Sequence, residues 1–147
     1  MPNRSLVYKI IVMSILTACV GTRDFVDGDA DVRDWNIFRG SATLCGYTDC
    51  TLPEAPRLLW SRKTQTRTVA APIVYGGVVY TMSRKGELRG YTMDGDSCRR
   101  YDLKTTVEAS FIAEDTTLFI GRTDGTVTAL GIRQMKPLWE YETLGQI

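Results

Sequence analysis

The residues of this chain that could do chemistry are its four cysteines (Cys19, Cys45, Cys50 and Cys98), its carboxylates, and three tryptophans (Trp35, Trp60 and Trp139). Histidine is absent from all 147 positions. That removes Ser-His-Asp and Cys-His arrangements, histidine general bases and His-containing zinc sites. An enzyme built from this sequence would have to use carboxylates, lysine, tyrosine or a cofactor. Asp94 and Asp124 each precede a glycine and read as turn residues, and Asp115 also falls in a turn. Glu87 and Glu108 fall on strand positions and read as solvated. No phosphate-binding loop, dinucleotide fingerprint or calcium loop is present, and Cys45, Cys50 and Cys98 without histidine make a poor metal set. The sequence assigns no catalytic, cofactor-binding or metal-binding residue, and implies no cofactor.

Cys19 has a different chemistry. Arg4 and Lys9 precede an apolar run from Ile10 to Leu16, interrupted by Ser14, the layout of a secretory signal. The run is shorter than the roughly 20 residues a membrane-spanning helix needs. Leu16-Thr17-Ala18-Cys19 resembles the bacterial lipobox. The resemblance implies a signal peptide over 1–18, cleaved before Cys19, and acyl chains on that cysteine as a membrane anchor. Val20, where an aspartate would mark inner-membrane retention, favours the outer membrane, with the domain facing the periplasm. An ordinary signal peptide and a buried amino-terminal helix are the alternatives. Residues 19–34 hold five aspartates and little apolar content, and read as a tether. In an oxidising compartment, Cys45 and Cys50, which enclose Gly46-Tyr47-Thr48-Asp49, are a candidate disulfide. Two free thiols, or a pairing with Cys98, stay open.

Charge excludes a further class. Of 18 basic residues two precede Cys19, leaving 16 against 17 acidic ones in the chain from there on. Such a balance offers no basic field to nucleic acid. Apolar residues at 44% are enough for a packed core.

The elements that would hold these residues are strands. Runs at 57–61, 69–75, 78–82, 87–91 and 99–103 alternate or are β-branched, and Gly76-Gly77, Lys85-Gly86 and Asp94-Gly95 separate them as turns. The text then repeats. Val69-Ala70-Ala71-Pro72-Ile73 matches Val107-Glu108-Ala109-Ser110-Phe111 at an offset of 38. Val78-Val79-Tyr80 matches Thr117-Leu118-Phe119, and the text from Gly86 matches that from Gly125, both at 39. Trp60, Tyr101 and Trp139 are each followed four residues later by a threonine. A period near forty with four strands per repeat predicts an all-β chain of β-propeller blades, about two of them, over 57–147. Small residues (Ala70, Ala71, Ala109) suit a crowded inner strand, and the aromatics suit the wide gap between outer strands. A β-sandwich with chance matches is the alternative.

A family resemblance follows from these residues. Trp35-Asn36-Ile37-Phe38-Arg39-Gly40, then Gly46, then Leu52-Pro53 through Leu58-Leu59-Trp60, resembles the opening of PQQ-like repeat propellers, with 35–56 as lead-in. The turn Thr92-Met93-Asp94-Gly95-Asp96-Ser97 keeps only part of that family's usual pattern, and Gly131 to Lys136 departs from it. Family propellers have roughly seven or eight blades, so this chain reads as an incomplete propeller: a fragment or early-ended reading frame, or one of several short chains that assemble. The resemblance implies two functions. One is a non-catalytic scaffold at the envelope with a protein partner, like the propeller subunit of the outer-membrane β-barrel assembly machinery. The other is the amino-terminal part of a PQQ-dependent oxidoreductase. The adjacent-cysteine pair that such dehydrogenases place against PQQ is missing here.

Overall fold

A computed structural model describes residues 34–48, 54–64, 66–145 and 147. The signal, anchor and most of the tether, with Cys19 and Cys50, lie outside the described residues, and so does the Cys45–Cys50 pairing.

Eight strands run in chain order: β1 Ile73–Tyr75, β2 Val78–Met82, β3 Glu87–Thr92, β4 Ser97–Asp102, β5 Ile112–Glu114, β6 Thr117–Gly121, β7 Thr126–Gly131 and β8 Lys136–Glu142. They form two four-stranded antiparallel sheets, β1-β2-β3-β4 and β5-β6-β7-β8. Ile73 and Ile112, Val78 and Thr117, Glu87 and Thr126, and Ser97 and Lys136 begin corresponding strands, each pair 39 positions apart. The bonds around the β2–β3 and β6–β7 turns recur as well, at 39 positions for the turn residues and 40 for the donors Leu103 and Thr143. Gly86 N donates to Ser83 O and Gly125 N to Arg122 O; Leu103 N closes onto Gly86 O and Thr143 N onto Gly125 O. The two sheets are thus consecutive blades of a β-propeller type, as the sequence period requires.

Alternation decides which sides meet. On the first sheet, Ile73, Val78, Tyr80, Met82 and Leu88 share one buried side. On the second, Ala113, Leu118, Ile120 and Leu130 share one. These two sides, with Leu103, Val107, Phe111 and Ile132 from the connections, make a single apolar core between the sheets. Each large aliphatic or aromatic side chain fully buried there contributes roughly 1.5–3 kcal/mol. Each ladder bond adds less, about 0.5–1.5 kcal/mol net, because the paired groups give up bonds to water.

The lead-in does more than introduce the repeats. Trp35 pairs with Val74 in both directions, N to O at 2.8 Å and O to N at 3.0 Å. Its neighbour Asn36 pairs with the other sheet: Ala113 N donates to Asn36 O, and Asn36 Nδ2 donates to Ala113 O, both at 2.9 Å. Asp34 Oδ1 accepts from Gly76 N at 2.9 Å. Three consecutive residues therefore clip together the inner strands of both sheets.

Two sequence expectations differ from the structure. The run 57–61 is not a strand, because no neighbouring strand among the described residues offers it a ladder. The run 69–75 is a strand only over Ile73–Tyr75. Pro72, just before it, has no N–H to give to a ladder, and upstream only Thr68 makes an isolated bridge, to Ser83.

The first hairpin turns at Gly76 and Gly77, with φ of 55° and 70°. The second makes the same two-residue turn at Asp115 and Thr116, with φ of 45° and 66°. A β-branched residue with positive φ is strained, and Asn-Gly suits this turn best. Asp115→Asn with Thr116→Gly is expected to stabilise the fold by about 1 kcal/mol, read as a higher denaturant midpoint with an unchanged slope. A lower midpoint would contradict the turn assignment.

Candidate functional site

The aromatic series takes three different environments. Trp60 lies over the β3–β4 turn, where a Cβ on Gly95 would sit 2.7 Å from its ring. Gly95 has φ of 86°, so both the turn and the close approach require glycine there. Trp60 Nε1 donates to Met93 O at 2.8 Å, and its ring lies 6.0 Å from that of Tyr91. Arg62 Nε donates to Gly95 O at 2.7 Å. This is a formed seat on the side of the first sheet that faces away from the second. Tyr101, on β4, packs against the core between the sheets. Trp139, on β8, has the Phe119 ring beside it, at 6.0 Å between centroids, and stays 48% exposed.

Trp139 belongs to an open side. The register places Ile112, Phe119, Ala129 and Trp139 in one row across the second sheet, and Gly121, Val127 and Tyr141 in the next. The first sheet's corresponding residues, Ile73, Tyr80 and Leu88, are completely covered by the second sheet. Here Tyr141 is 66% exposed, and a groove of about 440 Å³ is lined by Val127, Trp139, Glu140 and Tyr141. Among the described residues no further sheet lies over these side chains. Sequence reads Trp60 and Trp139 as packing between blades; Trp60 packs from a coil onto the turn of the first sheet, and Trp139 is half exposed.

Polar groups gather where the β2–β3 and β6–β7 turns meet the links to the following inner strands. Arg122 is mostly buried and pairs with Asp124 and, at 3.0 Å, with Glu140. Thr105 donates to Asp124 at 3.2 Å, and Thr128 to Glu140 at 3.1 Å. Arg122, Asp124 and Glu140 border an open cleft of about 610 Å³ with Thr126, Glu142 and Thr143. Desolvation opposes the Asp124 charge, but hydrogen bonds from Thr126 and Arg122 outweigh it and hold the carboxyl below its usual range. Such a carboxylate is a weak proton acceptor, and its oxygens are engaged in holding the turn.

The other sequence candidates fall apart in space. Asp94 and Asp115 are turn residues, as expected. Glu87 is not solvated: its side chain is 14% exposed and bridges Arg89 at 2.8 Å and Arg100 at 3.1 Å. That bond to Glu87 is the main cause of a raised Arg89 pKa. The signal for this was the charge pattern across β3 and β4, which is visible only once their register is known. Glu108 lies in a link rather than a strand and pairs with Arg84 at 2.6 Å. Cys45 is exposed with Sγ 3.2 Å from Thr43 Oγ1. Burial pushes the Tyr80 phenol upward, so it stays protonated in the core.

No family model matches the sequence, and no curated protein matches it. Solved structures do. A quinohemoprotein alcohol dehydrogenase from Pseudomonas putida HK5 is similar over 76% of this chain, with 20% identity and a TM-score of 0.65, and this chain spans 19% of its length. A quinohemoprotein alcohol dehydrogenase from Comamonas testosteroni is similar over 81%, with 17% identity and a TM-score of 0.64, the chain spanning 21% of it. BamB from Moraxella catarrhalis is similar over 57%, with 20% identity and a TM-score of 0.52, the chain spanning 26% of it. The fold is that of the PQQ-like β-propeller repeat, as the lead-in and repeat residues implied.

Because Asp124 titrates lower in the folded chain than in the unfolded one, its stabilising contribution is complete above the ordinary carboxylate range. It is lost as pH falls through the folded value. Asp124→Asn is expected to lower the denaturation midpoint near neutral pH, with the gap from wild type closing as acid is added. A gap that stays constant into acid would contradict the Arg122–Asp124 account.

Proposed function

We propose that this chain is an envelope-anchored, non-catalytic scaffold of the β-propeller type that binds protein through the open side of its second sheet. The observation that carries this reading is a pair of adjacent rows holding Phe119, Val127, Trp139 and Tyr141, in which Phe119 and Val127 are half-buried and Trp139 and Tyr141 are 48% and 66% exposed. Isolated exposed apolar residues are ordinary, but a contiguous aromatic patch marks a contact surface. The polar end supports the same reading. Arg122 pairs with Asp124 and Glu140, and its hydrogen bond to Asp124 helps leave that carboxylate a poor base.

The anchor is Cys19, acylated after signal cleavage, which holds the sheets at the outer membrane facing the periplasm. The fold likeness to BamB fits a role like that of the propeller subunit of the outer-membrane assembly machinery, though fold alone is compatible with many functions. The likeness to quinohemoprotein dehydrogenases favours a second reading, in which these sheets are part of a PQQ-dependent oxidoreductase.

Two measurements separate the readings. Fatty-acid label should enter the wild-type chain and be lost in Cys19→Ser; a labelled Cys19→Ser protein would overturn the anchor. With PQQ and calcium added, the chain should give no alcohol- or sugar-dependent dye reduction. Sustained turnover would replace the scaffold with the oxidoreductase.

A further inference from the structure

We infer that the side of the first sheet facing the second holds a small monovalent anion, of chloride size, between the Tyr80 hydroxyl and Arg99 Nε. The site lies between the two sheets and is separate from the protein-binding side proposed above.

The repeat itself supplies the comparison. The register sets Ile73, Tyr80, Gly90 and Arg99 in one row across the first sheet. The same row of the second sheet is Ile112, Phe119, Ala129 and Trp139. Three places change character together. Phe119 shows that its place needs a ring and no hydroxyl. Tyr80 carries a hydroxyl there all the same, on a residue with 0% exposure. Trp139 gives way to the cation Arg99. Between them Ala129 gives way to Gly90, where a Cβ would lie 2.8 Å from Arg99 Cβ and 3.2 Å from Arg99 Cγ. The same Cβ would lie 3.0 Å from Val78 Cγ1, and Val78 shares a side of β2 with Tyr80. Glycine therefore lets the arginine stem lie over β3 on the Tyr80 side of the sheet.

Both polar ends are orphaned within the protein. Tyr80 Oη and Arg99 Nε are buried, and neither has a hydrogen-bond partner. A fold loses stability by burying such groups unpaired, so a pair of them in one row calls for an acceptor. Arg99 NH1 donates to Cys98 O at 3.0 Å, which leaves the positive charge unanswered. Among the described residues no carboxylate pairs with Arg99. Its Nε–H can only donate. The Tyr80 phenol, held protonated by burial, can donate as well, and the Arg99 charge partly offsets the upward push of that burial. The two groups thus sense each other across Gly90.

An anion answers the two donors and the charge together, whereas a water molecule answers the donors alone. One guanidinium calls for one negative charge. The complete burial of Tyr80 limits the ligand to a few atoms.

The test uses the full chain in detergent at constant ionic strength, with sodium gluconate replaced stepwise by sodium chloride. Gluconate is too large for a buried site and controls for salt. The wild-type urea midpoint is expected to rise and level off as chloride saturates the site. Tyr80→Phe and Arg99→Met should each lose most of that rise. In gluconate alone Tyr80→Phe should be at least as stable as wild type, because Phe119 already fills the equivalent place. The Arg99 Nε–H resonance of arginine-labelled wild type should also move with chloride and saturate over the same range, and it decides the matter if either variant fails to fold. A midpoint and resonance indifferent to chloride would overturn the inference. So would a chloride response that both variants keep in full, or a Tyr80→Phe chain weakened equally at every chloride level.

Discussion

The structure depends on burying one side of each sheet against the other. Neither four-stranded sheet has a second layer of its own, and a sheet with one bare apolar side is not a stable unit. Tyr80, Met82 and Leu88 from one sheet, and Leu118, Ile120 and Leu130 from the next, share a core that removes all six from water. The clip at Trp35 and Asn36 then fixes the inner strands relative to each other through backbone bonds, which are directional where the apolar contact is not. The rim is held differently, by rings: Trp60 on the Gly95 turn and Tyr101 against the core.

The same constraint bears on the outer sides of the two described sheets. A repeat that uses both of its sides leaves one of them unmatched at each end of a stack. At the first sheet a coil tied down through Trp60 and Arg62 lies at the outer side. At the second sheet the unmatched side carries Trp139 and Tyr141 outward. The polar end is bonded mainly within itself, although Arg122 Nε is buried without a hydrogen-bond partner. Arg122, Asp124, Glu140 and Thr105 bond to each other, and the pairs Arg84–Glu108 and Glu87–Arg89–Arg100 repeat that behaviour elsewhere.

Much of this fold was legible in the sequence because the period is carried by residues with strong local meaning. Gly76-Gly77, Gly86, Gly95 and Gly125 mark turns by conformational need, and the alternation at 78–82 sets the buried side of β2. What the sequence hid depends on tertiary pairing. Asn36 has no local signature for bonding to Ala113, 77 positions away. Glu87 reads as solvated until β3 and β4 are set in register beside it. The 57–61 run has strand composition but lacks the neighbour a strand needs, and no property of the run itself reports that. Trp139 reads from sequence as an inter-blade residue; that it is half exposed among the described residues is a fact about the assembled sheets.

The most direct measurement is a methyl-resolved nuclear Overhauser experiment on the selectively labelled chain. The account predicts contacts between methyl groups of Met82 and Leu88 on one sheet and those of Leu118, Ile120 and Leu130 on the other. Methyl groups that see only neighbours within their own sheet would contradict it, since the two repeats would then be separate and neither the shared core nor the open side would exist as described.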